Sequence, residues 1–584
     1  MVFLPPNRAS LSEATRLARN RIVPNIHDIV ALSIMAALLV LLAHGAAAMR
    51  GSAELLVSQP VTLDPANLPE YALRTTLRMF AAIIASLVFT FIVATLAAKS
   101  RRAEKVIIPA LDILQSVPVL GFLTFTVTFF MGLFPGSQMG AECAAIFAIF
   151  TSQAWNMTFS FYQSLRTVPH DLDEVSRGFG LSAWQRFWRL EAPFAAPGLI
   201  WNTMMSMSGG WFFVVASEAI TVGHTTVELP GIGSWLALAI DKKDFVAVGW
   251  AVLAMGVLIL IYDRLLFRPI VAWADKFRSE QTASQEKPRS WVYDLLRRTR
   301  LVKTIGVPLA WGWQRLMLVR LGRPQLKVQT AEQQNLSRLS DRLWLAFIAI
   351  LAGAGAIFTA HYIHSELGWS DVAQAFGGGL ATLLRVIVLI AIASVIWVPI
   401  GVWIGLRPKV AERVQPLAQF LAAFPANVLF PFAVLAIVAT GASPNIWLSP
   451  LMILGTQWYI LFNVIAGASA FPSDLKEVAS VFKLRSWSWW RNVMLPGIFP
   501  YYVTGALTAT GGSWNASIVA ELASWGNTRI EAYGLGSYIA KATEAGDFPR
   551  VVLGIAVMSL FVTLFNRLLW RPLYVFAERR LRLD

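Results

Sequence analysis

Residues 75–98 read TTLRMFAAIIASLVFTFIVATLAA, twenty-four residues with Arg78 as their one charge. At about 1.5 Å per residue a helix of this length reaches roughly 36 Å, enough to cross about 30 Å of hydrocarbon. The same reading extends to five more stretches in the first half of the chain, near 28–49, 107–134, 143–163, 196–220 and 246–267. Six others follow near 343–362, 380–406, 416–440, 446–467, 498–521 and 549–570. The predicted fold is therefore an all-α polytopic membrane protein with about twelve transmembrane helices. Composition agrees: 56% of the 584 residues are apolar and 14% charged, against roughly a quarter charged in soluble domains. A disordered chain is excluded, and a water-soluble enzyme fits poorly. With one cysteine, Cys143, the chain can form neither an internal disulfide nor a cysteine-based metal cage.

The net charge of +15 is the next quantity to place. With the N-terminus inside and the spans alternating, 40 of the 49 Lys and Arg fall on the inner side and 9 on the outer. The inner side takes 20 Asp and Glu and the outer side 14, so the two faces carry +20 and −5. Excess Lys and Arg marks the cytoplasmic face. This sorting accounts for the basic excess without nucleic acid, and puts both termini in the cytoplasm. Residues 1–27 carry Arg8, Arg16, Arg19 and Arg21 and no cleavage-like small-residue site, so they read as a retained cytoplasmic segment.

The second half of the chain repeats the first. From Trp155 to Phe277 the offset is +303, pairing Trp211 with Trp514, Glu218 with Glu521 and Gly231 with Gly534. Upstream it is +307, pairing Thr75 with Thr382 and Arg78 with Arg385. Six spans separate equivalent points, so the two repeats run parallel and form a pseudo-dimer about an axis normal to the membrane. The expected organisation is a repeat over 28–273, a basic cytoplasmic linker over 274–341 with interfacial helices, and a second repeat over 342–584.

The loop after the fourth span is repeated too. It reads DLDEVSRGFGLSAWQRFWRLEAP at 171–193 and DLKEVASVFKLRSWSWWRNVMLP at 474–496, identical at eight of 23 positions. Asp171 and Asp474 are expected as helix N-caps. Ser182 is expected to cap a second short helix, and Pro193 and Pro496 to close the unit. These residues resemble the signature loop of permease subunits in binding-protein-dependent ABC importers. That pattern is Glu-Ala-Ala, a Gly after three further residues, and a closing Leu-Pro. Glu174, Gly180 and Pro193 match it in half one, and Glu477, Ala479, Leu495 and Pro496 in half two. Val175, Val478, Ser176, Ala192 and Lys483 depart from it. With the Gly-Gly-Trp run at 209–211, Glu218 and the Gly231-to-Ser234 stretch, the resemblance is to the nitrate/sulfonate/taurine branch.

The resemblance implies a bacterial inner-membrane permease, two fused repeats forming one substrate pathway for a small anion. Two ATP-binding cassette ATPase subunits would dock inside on Asp171, Glu174, Gly180, Pro193, Asp474, Glu477, Lys483 and Pro496. A substrate-binding protein would act outside. ATP and Mg would belong to the ATPase, since this chain has no phosphate loop; it binds no cofactor and is not itself an enzyme. For the pathway, Arg78, Arg385, Trp211, Glu218, Trp514, Asn515 and Glu521 are the candidates. The two arginines read either as cations meeting an anion or as partners of Glu218 and Glu521; the tryptophans read either as pathway or as scaffold. No metal site is expected, His361-x-x-His364 being the single suggestive spacing. An ion-coupled secondary transporter with six-plus-six helices is the alternative, but it needs intramembrane carboxylates or histidines, and here the acidic residues cluster at helix ends.

Overall fold

The computed structural model describes residues 25–49, 60–116, 119–222, 225–277, 290–299, 301–321, 331–469, 471 and 473–580. Most of the N-terminal segment and parts of the linker, expected to be cytoplasmic, lie outside them. Half one runs α1 (Ile26–Ala48), α2 (Leu68–Lys99), α3 (Arg101–Ser116), α4 (Val119–Leu133) and α5 (Met139–Arg166). The short helices α6 (His170–Gly178) and α7 (Ala183–Arg186) follow, then α8 (Ala192–Glu218), the hairpin β1–β2 (Ala219–Val222, Thr225–Glu228), α9 (Ile232–Asp241), α10 (Phe245–Tyr262) and α11 (Arg268–Ala274). The linker holds α12 (Trp291–Arg298) and α13 (Leu301–Leu318). Half two opens with α14 (Ala331–Glu366), α15 (Trp369–Gly405), α16 (Pro408–Ala423), α17 (Phe430–Thr440), α18 (Pro444–Trp447) and α19 (Gln457–Ser469). It continues through α20 (Ser473–Val481), α21 (Ser486–Trp489), α22 (Leu495–Ala520), β3–β4 (Leu522–Trp525, Thr528–Glu531), α23 (Leu535–Ala545), α24 (Phe548–Phe565) and α25 (Arg571–Arg580).

The fold is helical and duplicated, as expected, with two corrections of detail. First, each repeat carries a small antiparallel hairpin, pairing Ala219 with Glu228 and Leu522 with Glu531. Second, the expected spans are not twelve uniform rods. Among the described residues six helices are long and apolar enough to cross a membrane, or eight if two bent pairs count as spans. The pair at 417–440 bends by 78° and the pair at 444–469 by 44°. Pro425 explains the first bend: it lacks an N–H and drives Phe424 out of the α region, to ψ 125°. Helices α5 and α8, at 28 and 27 residues, have the length of a span. They bury Thr151, Gln153, Thr158, Thr203 and Ser206 inside the bundle, where protein rather than lipid surrounds them and polar side chains serve as glue.

The halves meet reciprocally. Helices α3 and α4 of half one pack on α24 of half two, while α16 of half two packs on α8 and α10 of half one, the pattern of a two-fold interface. At the hairpin end, the Gly526 N–H donates to the Ile240 carbonyl (3.0 Å), and Phe245 packs on Trp525 with ring centroids 4.5 Å apart. The linker docks on half one: the Leu301 N–H donates to Asp28 Oδ1 (2.8 Å), and Asn25 Nδ2 donates to the Arg298 carbonyl (3.0 Å). Helix α13 leaves Val307, Trp311, Trp313 and Leu316 exposed, consistent with the interfacial helix its sequence predicts.

Four π-turns sit at equivalent places, Phe187–Glu191, Asp263–Phe267, Trp490–Met494 and Asn566–Trp570. Each ends two residues before a proline: Pro193, Pro269, Pro496 and Pro572. A proline inside a helix removes a hydrogen bond and crowds the carbonyl four residues back. Widening the preceding turn to i→i+5 relieves both. Pro193 and Pro496 therefore do not close the loop unit, as the sequence reading had it. The second short helix continues through the π-turn and the proline into α8 and α22.

Candidate functional site

Two regions stand out in each half: a pair of short helices at the basic face and a buried ion-pair cluster at the other. In the first region α6 ends where Gly180 takes φ +63°. The Gly180 N–H donates to the Arg177 carbonyl (2.9 Å) and that of Leu181 to Ser176 (3.2 Å), closing the helix C-terminus. Ser182 then caps α7, as its sequence suggests, and forms a capping box with Gln185. Asp171 is not the cap of α6. Pro169 holds that position, and Asp171 lies in the first turn, where a carboxylate still complements the helix dipole. Asp474 likewise lies inside α20, one residue past its start.

Half two builds the same turn without the glycine. Lys483 takes φ +52°, and the Lys483 and Leu484 N–H groups donate to the Ser480 and Ala479 carbonyls at 3.0 and 2.9 Å. A left-handed non-glycine residue costs roughly 1–2 kcal/mol. Lys483→Gly should therefore raise the stability of the purified chain by about 1 kcal/mol, and Gly180→Lys should lower it comparably. An unchanged melting temperature in both variants would contradict this.

Each of these helices exposes a run of apolar side chains at the basic face. Leu172, Val175 and Phe179 are exposed in half one, the last at 80%, and Glu174 is exposed beside them. In half two Leu475, Val478, Val481 and Phe482 are exposed, the last at 73%, again beside an exposed Glu477. Apolar side chains on one exposed surface mark an interaction site.

The two units are anchored differently. Half one uses ions: Asp173 of α6 pairs with Arg177 (2.7 Å) and with Arg186 of α7 (3.0 Å). Arg186 also pairs with Glu191 (3.0 Å), which holds Lys99 at the end of α2. The equivalent positions in half two are Lys476, Trp489, Met494 and Leu406, with Met494 wholly buried. Among the described residues the linker adds a second brace to the half-one unit and none to that of half two. Trp184 Nε1 donates to the Leu316 carbonyl (2.9 Å), Gln185 Nε2 donates to Leu318 (2.8 Å), and Trp188 packs edge-on against Trp313. Trp487, the partner of Trp184 by repeat, is 69% exposed.

The second region gathers residues that the sequence reading had kept as pathway candidates. Arg78 is 0% exposed. Its Nε and Nη2 donate to Glu142 at 2.6 and 2.7 Å, and its Nη1 donates to Glu218 at 2.7 Å. Glu218 Oε1 also accepts from Thr75 (2.7 Å), and Oε2 from the Gly233 N–H (2.6 Å) at the start of α9. Half two repeats the arrangement: Glu521 accepts from Thr382 and Arg385 at 2.8 Å each, and from the Gly536 N–H at 2.8 Å. A Cβ on Gly231 or Gly534 would fall onto the carboxylate, and one on Gly233 or Gly536 would meet the backbone of Val215 or Ser517. The Gly-x-Gly-Ser stretch is thus the seat of a buried carboxylate that caps a helix.

Glu142 was missed as a partner. It lies one residue before the span predicted from 143, and only folding brings α5 against α2 at that level. Its counterpart is Asn445, whose Oδ1 accepts from Arg385 Nη2 at 3.3 Å. One cluster therefore holds two carboxylates for one guanidinium and the other holds one.

Trp211 and Trp514 are both 1% exposed, with Trp211 edge-on to Tyr262 and Trp514 stacked on Phe561. Trp211 also borders a cavity of about 340 Å³ at the seam between the halves, with Met204, Ser208 and Tyr262 on one side and Leu417 and Phe420 on the other. Asn515 lies half-buried on α22, where Nδ2 donates to the Gly511 carbonyl (3.2 Å) and Gly511 faces open space.

Comparison with known proteins agrees with the duplication. A family described as "binding-protein-dependent transport system inner membrane component" matches residues 86–268 and again 397–573. The nitrate import permease protein of Leptolyngbya laminosa is 29% identical over 188 residues, 32% of this chain and 64% of that protein. The bicarbonate transport system permease protein of Synechococcus elongatus is 29% identical over 189 residues, with the same coverage. The glycine betaine/proline betaine permease protein ProW of Escherichia coli is 29% identical over 168 residues, 29% of this chain and 43% of that protein. The chain thus spans about 64% of the length of the cyanobacterial relatives it matches, and each alignment is the size of one repeat. With the family matched twice, over more than half its length and once in each half of a helical membrane bundle, the chain belongs to the inner-membrane components of binding-protein-dependent transport systems.

Proposed function

We propose that this chain is the whole membrane permease of an ATP-driven importer, one polypeptide supplying both halves of the pathway. The observation that carries the reading is the duplicated, exposed apolar face of α6 and α20, in a chain whose two repeats both match the permease family. Helix docking into a partner groove uses such a face. On this reading two ATPase subunits dock there, with ATP and Mg bound by those subunits, and an extracytoplasmic binding protein delivers substrate. Glu174, Glu477 and the turns at Gly180 and Lys483 belong to the docking surfaces. The basic partition supports termini and linker on the ATPase side.

We further infer that the substrate is a small anion of the nitrate or bicarbonate kind, because relatives named for both align with one repeat. Arg78 and Arg385 are engaged by Glu142, Glu218 and Glu521, so we assign them to the scaffold. Along the pathway we favour the seam at Trp211 and the α22 face bearing Gly511 and Asn515. Proteoliposomes holding this chain, its ATPase and its binding protein should take up labelled nitrate or bicarbonate only with ATP inside the ATPase compartment. Uptake driven by a proton or sodium gradient without ATP would overturn the importer reading in favour of a secondary transporter.

A further inference from the structure

The two repeats differ at two positions that together change the chemistry of a whole surface. In half one Asp263 opens the π-turn at the end of α10. Its Oδ2 lies 2.7 Å from Arg268 Nε and 3.8 Å from Arg264 Nε. The carboxylate thus serves both arginines of its own turn. In half two the arginines are kept, as Arg567 and Arg571, but the acid is Asn566. Among the described residues neither Arg567 nor Arg571 has a carboxylate partner. Phe277, near the start of the linker, is replaced at the same offset by a third arginine, Arg580.

These three arginines line one open groove of about 490 Å³, with Pro572, Val575 and Phe576 as its apolar floor. All three are exposed, and the Arg580 guanidinium stands 5.9 Å from the centroid of the Phe576 ring. The groove lies at the last turns of the apolar helix Phe548–Ala577 and just beyond them, on the side to which the charge partition assigns the cytoplasm. Beside it Leu568 and Leu569 are exposed, a surface fit for acyl chains. Concave, cationic, half apolar and at membrane-interface depth, it has the chemistry of an anionic headgroup site. Arginine suits the role, because its planar fork pairs bidentately with phosphate oxygens.

We infer that the Arg567–Arg571–Arg580 groove binds the phosphate headgroup of an anionic phospholipid, and that half one lacks the equivalent site because Asp263 neutralises two of its arginines and Phe277 stands in place of the third. The inference does not depend on what is transported. The repeat supplies its own control: Asn566→Asp should rebuild the ion pair of half one, and Asp263→Asn together with Phe277→Arg should open a second site.

The test uses the full chain purified in detergent, titrated with cardiolipin and, separately, with phosphatidylcholine, the bound lipid being counted by native mass spectrometry. Wild type should hold cardiolipin roughly fivefold more tightly than Asn566→Asp, the added carboxylate offsetting one basic charge near a membrane surface. Asp263→Asn with Phe277→Arg should bind one cardiolipin more than wild type. Arg571→Gln serves where Asn566→Asp purifies poorly, and should show the same loss. Equal cardiolipin binding by wild type, Asn566→Asp and Arg571→Gln would overturn the assignment. So would equal retention of phosphatidylcholine, or displacement of cardiolipin by inorganic phosphate at the same concentration, which would make free phosphate the ligand.

Discussion

Arg78→Gln should prevent this chain from accumulating in the membrane as a folded protein, and should do so more severely than Arg385→Gln. Breaking a buried ion pair by removing one partner costs about 3–5 kcal/mol, because a charge is left uncompensated. In half one the loss leaves two carboxylates, Glu142 and Glu218, facing each other at 1% and 0% exposure. In half two it leaves Glu521 alone, still accepting from Thr382 and the Gly536 and Ser537 N–H groups, with neutral Asn445 alongside. Replacing all three members together, Arg78→Met with Glu142→Gln and Glu218→Gln, should recover much of the yield, since a buried ionic cluster often exchanges for neutral groups at little net cost. Melting of the detergent-purified chain, with the monodisperse fraction after extraction, measures the order. A well-folded Arg78→Gln chain with wild-type melting and lost anion uptake would show instead that the arginine serves the pathway.

The second large effect is expected at the basic face. Phe179→Asp with Phe482→Asp should abolish recovery of ATPase subunits on the chain while leaving its own melting unchanged. Both rings are largely solvent-exposed, so replacing them removes little folding energy. As buried aromatics in a docked complex they would each be worth about 2 kcal/mol or more, roughly thirtyfold per site. The single variants need not be equal. The half-one unit is held to α2 through Asp173, Arg186, Glu191 and Lys99 and is braced by the linker; the half-two unit rests on apolar packing around Met494. Undiminished ATPase capture by the double variant would remove α6 and α20 from the interface.

Much of this architecture was legible in the residues because membrane helices announce themselves by length and composition. The repeat frame was legible because 303 residues separate Trp211 from Trp514, Glu218 from Glu521 and Pro193 from Pro496 without a gap. What stayed hidden required knowing which helix faces meet. Glu142 looks like a helix-end charge until α5 is laid against α2, and then it is half of Arg78's coordination. Pro193 looks like a stop signal because a proline usually is one, and a π-turn two residues earlier is a local solution that propensity does not encode. Asp171 looks like a cap because Asp commonly is one, yet the chain enters α6 two residues earlier, at Pro169. The bend at Pro425 was written in the sequence but was masked by apolar residues on both sides, which let 416–440 read as one span.

The covalent join between the repeats has an evolutionary consequence. In a homodimeric permease every substitution is made twice, so a change useful at one copy must be harmless at the other. Tethering removes that constraint. It also makes pairing of the halves a unimolecular event at an effective concentration of about millimolar, so neither face need remain self-complementary. Asn445 opposite Glu142, Asn566 opposite Asp263 and Lys483 opposite Gly180 are then allelic experiments run within a single molecule. In each pair one copy can change while its twin keeps its residue, a freedom that a homodimer of identical chains lacks.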